Sequence, residues 1–267
     1  MRTFIRKDLP VRLLASLFVI VAASGCVPMR PMAINKNTQS VDTDNRGIVL
    51  LSVKLLDKYP SPARPNLKWL SLGDPDKDAV AIPQNERGAI YQTERGAIHR
   101  ARYVYKLGPP FRSKSDKSSQ FEEHLISMKL EPGRHVLKEV FMITSMFPLG
   151  ARGHAPIFST FEVRPNQVTY LGHIEILRRV KKCHEFRAGS PAALIDVDSA
   201  VLGYSTGTFD INIFDNYDRD VSVFRREYPV LAKYSVTKSI LAAWKRPSED
   251  DPASCTDTPS DGSSAVN

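Results

Sequence analysis

The chain has 267 residues, a formal net charge of +8, 42% hydrophobic and 25% charged residues. This is ordinary globular composition, which argues against disorder of the whole chain. Three cysteines are too few for a disulfide-rich miniature scaffold, and no apolar run is long enough for a bundle of membrane-spanning helices. The length admits one large domain or two small ones.

The first 25 residues predict a secretory signal peptide. An 11-residue apolar stretch, Leu13 to Ala23, is too short to span a bilayer but suits the apolar region of such a signal. It ends in Ala23-Ser24-Gly25-Cys26, and basic residues precede it at Arg2, Arg6, Lys7 and Arg12. A basic start, a short apolar core, a pair of small residues and a cysteine therefore occur in order.

This order resembles the lipobox of bacterial lipoproteins, with Ala23 where Leu is more frequent. The resemblance implies cleavage before Cys26 and lipidation of Cys26 by a diacylglyceryl group and an amide-linked, palmitate-type chain, which together give stable anchoring. Val27, rather than Asp, follows the cysteine and implies the outer membrane, facing the periplasm. Secretion with an unmodified Cys26 is the alternative.

The net charge divides unevenly along the chain. Residues 1–25 carry +3 and would be removed, residues 247–267 carry −5, and residues 26–246 carry +10. A body this basic admits a nucleic-acid partner. However, export and the scatter of the basic residues, which are not interleaved with stacking aromatics, argue against nucleic acid. Anionic lipid or polysaccharide fits an envelope protein better, and ordinary solubility charge is the simplest explanation.

Hydropathy patterns predict a tether, a series of strands and a helical C-terminal segment. Residues 26–45 are polar and predict a flexible tether. Residues 215–246 change to a helical period, with Val236 to Trp244 as a second short helix, and residues 247–267 predict a disordered acidic tail. The predicted strands are Gly47–Val53, Leu67–Leu72, Ala101–Leu107, Leu125–Leu130, His135–Thr144, Phe158–Val163, Val168–Leu177 and Phe209–Phe214.

Two tight turns link the most regular of these strands. Pro132-Gly133 and Pro165-Asn166 each combine a proline that presets φ with a residue that tolerates positive φ. Residues 108–120 and 148–156 are predicted to be loops. Strands at about ten-residue spacing without an intervening helical period predict a mainly β, antiparallel β-sandwich over residues 46–214.

Residues 125–177 carry a further resemblance. Leu130-Glu131-Pro132-Gly133-Arg134-His135-Val136-Leu137, followed by Phe161 to Ile174 with Tyr170-Leu171-Gly172, resembles a pattern in uncharacterised bacterial lipoproteins. Those proteins have a transthyretin-like (prealbumin-like) or carboxypeptidase-regulatory-like β-sandwich, so the resemblance implies an Ig/transthyretin-like sandwich here. His135 replaces the usual Tyr and Asn166 the usual Gly. The pattern implies a fold and no activity, because a sandwich serves many functions.

No short motif predicts catalysis or a cofactor. Gly203-Tyr204-Ser205-Thr206-Gly207 matches G-x-S-x-G, but a strand follows where the nucleophile elbow needs a helix, and no histidine lies downstream of Ser205. We therefore predict a turn at this position. No Walker A loop or dinucleotide-binding glycine loop is present.

Metal and carboxylate patterns are equally weak. The six histidines form no H-x-H or H-x-x-x-H pair and there is no C-x-x-C, so the spacing predicts no metal site. The alternative is a site from distant strands, for example His135 with His173 on adjacent strands. The carboxylate pairs Glu122-Glu123 and Asp196/Asp198 are predicted to be solvated surface rather than a glycosidase pair.

Cys183 and Cys255 remain as thiols once Cys26 is acylated. An oxidising periplasm permits a disulfide between them, and closing a loop of about 70 residues would contribute about 4 kcal/mol on the entropic model. Such a bond would hold the acidic tail against the basic residues from Arg178 to Lys182. An unpaired Cys255 is the alternative.

The sequence thus predicts a lipid-anchored cell-envelope protein that acts as a non-catalytic interaction or assembly module. Its expected partners are the membrane, through the N-terminal lipid, together with envelope proteins or an anionic lipid or polysaccharide. The alternative is a lipid-anchored envelope hydrolase or solute-binding module with a site built from distant residues.

Overall fold

The computed structural model describes residues 29–61, 63–73, 103–115, 120–183, 185–189, 198 and 201–246. The predicted signal peptide, Cys26, Cys255 and the acidic tail lie outside this range. No helix among the described residues is long and apolar enough to cross a membrane. The described elements are β1 (Met29–Arg30), β2 (Gly47–Asp57), β3 (Pro65–Gly73), β4 (Tyr103–Lys106), β5 (Arg112–Ser115), β6 (Gln120–Leu130), β7 (Gly133–Met146), β8 (Leu149–Val163), β9 (Val168–Val180), β10 (Gly207–Phe214), α1 (Tyr217–Glu227), a 3-10 helix (Pro229–Lys233) and β11 (Val236–Lys238).

The fold is mainly β and has two sheets. The first sheet has the strand order β1-β4-β3-β7-β8, and the second has the order β10-β9-β2-β6-β5, with β11 also pairing with β9. Both sheets are mixed, which corrects the prediction of antiparallel pairing throughout. β1 with β4, β2 with β9 and β11 with β9 run parallel. The alternation of side chains along a strand does not indicate whether it runs parallel or antiparallel to its neighbour. β2 and β9 are far apart in the sequence, with strands of the first sheet between them.

The two sheets share an apolar core, and the second sheet is covered on both faces. Val49, Leu51 and Val53 of β2 face the shared core with residues of the first sheet such as Leu70. On the opposite face, Ile48 and Leu50 of β2 and Tyr170 of β9 form a second apolar cluster. They pack there with Phe224 of α1 and Leu231 of the 3-10 helix. Burial on both faces explains why β2 reads as an almost continuous apolar run.

The C-terminal segment combines one helix with a strand. Asp218 and Asp220 lie in the first turn of α1 and Arg225 and Arg226 in its last turn, where each sign of charge complements the helix dipole. The predicted second helix at Val236 to Trp244 is wrong. Residues 236–238 form β11 because their backbone pairs with β9, and the Leu241 N–H continues that contact by donating to the Leu171 carbonyl.

The first described part of the predicted tether, residues 29–34, contacts the sheets. Met29–Arg30 forms β1, and Ile34 is only 1% exposed. The Ile34 N–H donates to Ser127 Oγ at 2.9 Å, and the Ala33 N–H donates to the Ser127 carbonyl at 2.9 Å. The polar composition of this segment predicted no contact with the fold. Ile34 nevertheless packs into it, and the backbone N–H groups of Ala33 and Ile34 bind Ser127 of β6.

The predicted turns are confirmed, while the two predicted loops contain strand residues. Gly133 and Asn166 both have positive φ, at 121° and 55°. The loop predicted at residues 108–120 contains β5. The loop predicted at 148–156 belongs to β8 from Leu149 onward, and β8 pairs with β7 along nearly its whole length. Backbone N–H and C=O groups in a long hairpin bond to each other whatever side chains the residues carry. These residues can therefore form strands without an alternation of apolar and polar side chains.

Candidate functional site

A buried polar cluster lies between the second sheet and α1. It consists of Ser52 on β2, Glu123 on β6, Tyr170 and His173 on β9, and Arg219 and Asp220 on α1. The side chains other than that of Arg219 are at most 3% exposed, whereas the Arg219 side chain is 43% exposed. Five buried polar residues from four elements thus meet under a single half-exposed arginine.

A β-bulge in β9 puts His173 into this cluster. Leu50 pairs with Tyr170 and Ser52 pairs with His173, so β9 contains one more residue than β2 between these positions. Gly172, at φ 124°, takes up the extra residue. Without the bulge, strict alternation would turn His173 to the opposite face from Tyr170.

Asp220 is the centre of the hydrogen bonding. Ser52 Oγ and Tyr170 Oη both donate to Asp220 Oδ2, the latter at 2.7 Å, and His173 Nδ1 lies 3.3 Å from the same oxygen. Burial acts to raise the pKa of Asp220, but the hydrogen bonds from His173, Ser52 and Tyr170 outweigh it and hold this pKa below its usual value. Burial and the bond to Asp220 raise the pKa of Tyr170.

Glu123 forms the second acidic corner of the cluster. Arg219 Nη2 lies 2.5 Å from Glu123 Oε1, and Arg219 Nη1 lies 3.4 Å from Asp220 Oδ1. Its neighbour Glu122 instead accepts from the Leu67 N–H and lies 3.4 Å from His124 Nε2. The prediction of solvated carboxylates is therefore wrong for Glu123, which is 1% exposed because α1 covers its strand.

The cluster contains Ser, His and Asp but lacks the geometry of a nucleophilic triad. Ser52 Oγ lies 2.8 Å from His173 Nδ1, the same ring nitrogen that faces Asp220. A triad needs the serine and the carboxylate on opposite nitrogens of the imidazole. Ser52 donates its one proton to Asp220, so the imidazole does not receive it as a general base would. Glu123, His173 and Asp220 do present ligand-type atoms within 4.8 Å of one another, as a metal site requires.

Other residues singled out in the sequence lie apart from this cluster. His135 is on β7 and His173 on β9, which belong to different sheets, so the suggested pairing of these two histidines is wrong. Ser205 lies in the turn before β10, as predicted. Asp196 is outside the described residues, and Asp198 accepts a hydrogen bond from the Gly150 N–H.

The basic residues before Cys183 are not a free cationic patch. Arg178 is fully buried and pairs with Asp57, and Arg179 pairs with both Glu185 and Asp210. The residues predicted to attract the acidic tail are thus partly neutralised within the folded body. Cys183 is disulfide-bonded. Both other cysteines lie outside the described residues, so pairing with Cys255 stays a prediction.

Sequence reasoning missed Ser52, Tyr170 and Asp220 as members of one site. Two signals were available in the sequence. Ser52 interrupts an apolar strand, and Asp220 shares the apolar face of its helix with Phe224, four residues on. A polar residue on an otherwise buried face needs a buried partner, but the pattern does not identify that partner.

Comparisons with family models, with curated proteins and with solved structures found no match to this chain.

Proposed function

We propose that this chain is a lipid-anchored envelope protein and acts as a non-catalytic interaction or assembly module, held at the periplasmic face of the outer membrane by Cys26. The order of a basic start, an apolar core, two small residues and a cysteine supports the anchor. The two sheets with a shared apolar core support a sandwich, and the residue pattern at 125–177 supports its relation to the transthyretin-like and carboxypeptidase-regulatory-like domains of other lipoproteins.

The observation that carries this proposal is the early entry of the chain into the fold. Met29 already belongs to a sheet, and Ile34 is buried. Three residue steps separate Cys26 from Met29, and an extended chain covers about 10 Å over that distance. A lipid on Cys26 would thus hold the folded body against the membrane surface, as suits a module that presents a fixed face to its partners.

The positions of Ser205 and Ser52 support a non-catalytic role. Ser205 lies in a turn before a strand, and Ser52 shares one imidazole nitrogen with Asp220. Each of these arrangements lacks the geometry needed to activate a serine. The polar residues identified by sequence and structure therefore fit interaction and stability better than hydrolysis.

A surface hollow supports an anionic partner. It has a volume of about 630 Å³ and lies between the turn that joins β8 to β9 and the end of the 3-10 helix. Arg164 and Lys233 supply positive charge, and Asn166, Gln167 and Tyr234 supply hydrogen-bonding groups. Such a lining suits acidic polysaccharide or lipid headgroups.

Labelling of the full chain with a clickable palmitate analogue tests the anchor directly. We expect label and membrane association in the wild-type chain and the loss of both in Cys26→Ser. Val27→Asp is the matched variant for sorting, since it keeps the lipid and should move the protein to the inner membrane on a density gradient. A Cys26→Ser chain that is processed and retained in membranes like the wild type would overturn the anchor.

The interaction role has its own test. Washed outer-membrane vesicles with the anchored chain should yield specific crosslinks from photoreactive residues placed beside Arg164 and Lys233. Substitution of both residues by alanine should reduce those crosslinks several-fold while lipid labelling stays constant. Equal crosslinking in the double variant would argue against the hollow as the contact surface.

A further inference from the structure

We propose that Glu123, His173 and Asp220 form a binding site for a divalent transition-metal cation, with Zn²⁺ as the best-fitting ion. One imidazole and two carboxylates are ligands that Zn²⁺ takes in proteins. The three residues come from β6, β9 and α1 and are each at most 3% exposed. The site goes beyond the proposed envelope role, since binding of the cation requires no lipid anchor.

The spacing of the ligand atoms fits one ion. His173 Nδ1 and Asp220 Oδ2 lie 3.3 Å apart. Two ligand atoms on a tetrahedral zinc, with bonds of 2.0–2.1 Å, are about 3.4 Å apart. A Glu123 oxygen completes a triangle in which all atoms lie within 4.8 Å of one another. Two of the three ligand atoms are therefore at zinc spacing already, and Glu123 would have to approach them, with Arg219 displaced, to complete the site.

The charge of the cluster favours a divalent cation. Glu123 and Asp220 are each 1% exposed, and Arg219 is the cation that contacts both carboxylates. The adjacent Lys54 pairs with Glu175 at 3.2 Å, so those two charges cancel. The two carboxylates share this one arginine, and a divalent ion in its place would balance both of their charges.

Hydroxyl groups on two strands contact the Asp220 ligand. Ser52 and Tyr170 both donate to Oδ2, the oxygen that faces His173, so ligation by this oxygen requires one hydroxyl to turn away, while the other keeps the carboxylate oriented as an outer contact. Coordination through His173 Nδ1 requires this nitrogen to carry no proton. Arg219 is 43% exposed on its side chain and can turn outward to give way to the ion.

The ion would join the C-terminal helix to the sheet. Glu123 and His173 belong to the second sheet, and Asp220 belongs to α1, so one bound cation would bridge three elements. A ligand that binds only the native state stabilises that state. We therefore expect Zn²⁺ to raise the unfolding temperature of the full chain by several degrees.

Titration of the detergent-solubilised full chain, stripped with EDTA, tests the site. We expect one Zn²⁺ per chain by calorimetry and elemental analysis, and d–d absorption of a four-coordinate centre after substitution with Co²⁺. Glu123→Gln should weaken binding at least about 100-fold, because loss of a ligand should exceed the effect of losing an outer contact. Glu162→Gln, at an exposed carboxylate on β8 of the other sheet, is the control and should bind like the wild type.

Arg219→Ala provides a test that no loss of folding can imitate. Because this variant removes the competing cation, we expect Zn²⁺ to bind about three- to tenfold tighter. Arg226→Ala, on the exposed side of the same helix, is its control and should leave the affinity unchanged. The absence of stoichiometric binding, equal affinity in Glu123→Gln, or an Arg219→Ala affinity no higher than the wild type would each overturn the proposal.

Discussion

Replacement of Arg178 by methionine should destabilise the protein by about 3–5 kcal/mol. Arg178 is fully buried on β9, and its Nε and Nη2 donate to the two oxygens of Asp57 at 2.9 and 2.8 Å. Nη1 and Nη2 also donate to the carbonyls of Leu202 and Ala63. Methionine would fill the space but leave the Asp57 carboxylate, 8% exposed on its side chain, without its cation.

The magnitude follows from the charge left behind rather than from the strength of the pair. Removal of one partner of a buried ion pair costs about 3–5 kcal/mol, whereas replacement of both partners by apolar groups is often close to neutral. The double variant Arg178→Met/Asp57→Leu should therefore recover about 2–3 kcal/mol relative to the sum of the single variants. Arg178 also lies over the rings of Tyr59 and Tyr204, at 5.2 Å from each centroid, and that contribution would not return.

Urea unfolding at neutral pH, monitored by tryptophan fluorescence, measures these free energies. We expect the transition midpoint of Arg178→Met to fall while the urea dependence of the free energy stays constant, which indicates an unchanged unfolding reaction. Additive costs in the double variant, or a cost below about 1 kcal/mol for Arg178→Met, would refute the claim that Asp57 depends on this arginine.

Three further predictions concern the bulge, the N-terminal segment and acid stability. Gly172→Ala should cost about 1–3 kcal/mol in thermal unfolding, because its φ is 124° and a Cβ would lie 3.3 Å from the Phe214 carbonyl; Gly108→Ala, in open space, should cost little, and equal effects would contradict the bulge argument. Ile34→Ala should cost about 2–4 kcal/mol and speed tryptic cleavage before β2, whereas a flexible tether would show neither effect. Hydrogen bonds from Arg179 lower the pKa of Glu185 to about 2 from 4.5, so its stabilisation is complete above the unfolded-state pKa and is lost as the pH falls from about 4.5 towards 2. The difference in melting temperature between wild type and Glu185→Gln should shrink over that range, and a constant difference would argue against this ion pair.

The positions of most strands followed from local patterns. Alternation and β-branched runs predicted the strands that became β2, β3, β9 and β10, because a strand with one buried face must alternate and a strand buried on both faces must be apolar throughout. The turns at Gly133 and Asn166 were predictable for a similar reason, since φ is a property of a single residue.

Strand order, strand direction and the polar cluster depended on contacts between distant residues. His173 contacts Asp220 only because a bulge at Gly172 turns it to the face that α1 covers. No short stretch of sequence predicts the parallel pairing of β2 with β9 or the packing of α1 on the sheet. Arg178 likewise belonged to a basic run in the sequence but is a buried partner of Asp57 in the structure.

The sequence by itself determined which segments can be strands or turns, and it supplied the cysteine on which the proposed anchor depends. Tertiary structure decided which polar side chains meet: Ser52, Glu123, Tyr170, His173 and Asp220 are spread over some 170 residues and share a site only through packing. The physical reason is that backbone propensity acts over a few residues. The free energy of a buried charge, by contrast, depends on whichever partner the fold brings within hydrogen-bonding distance.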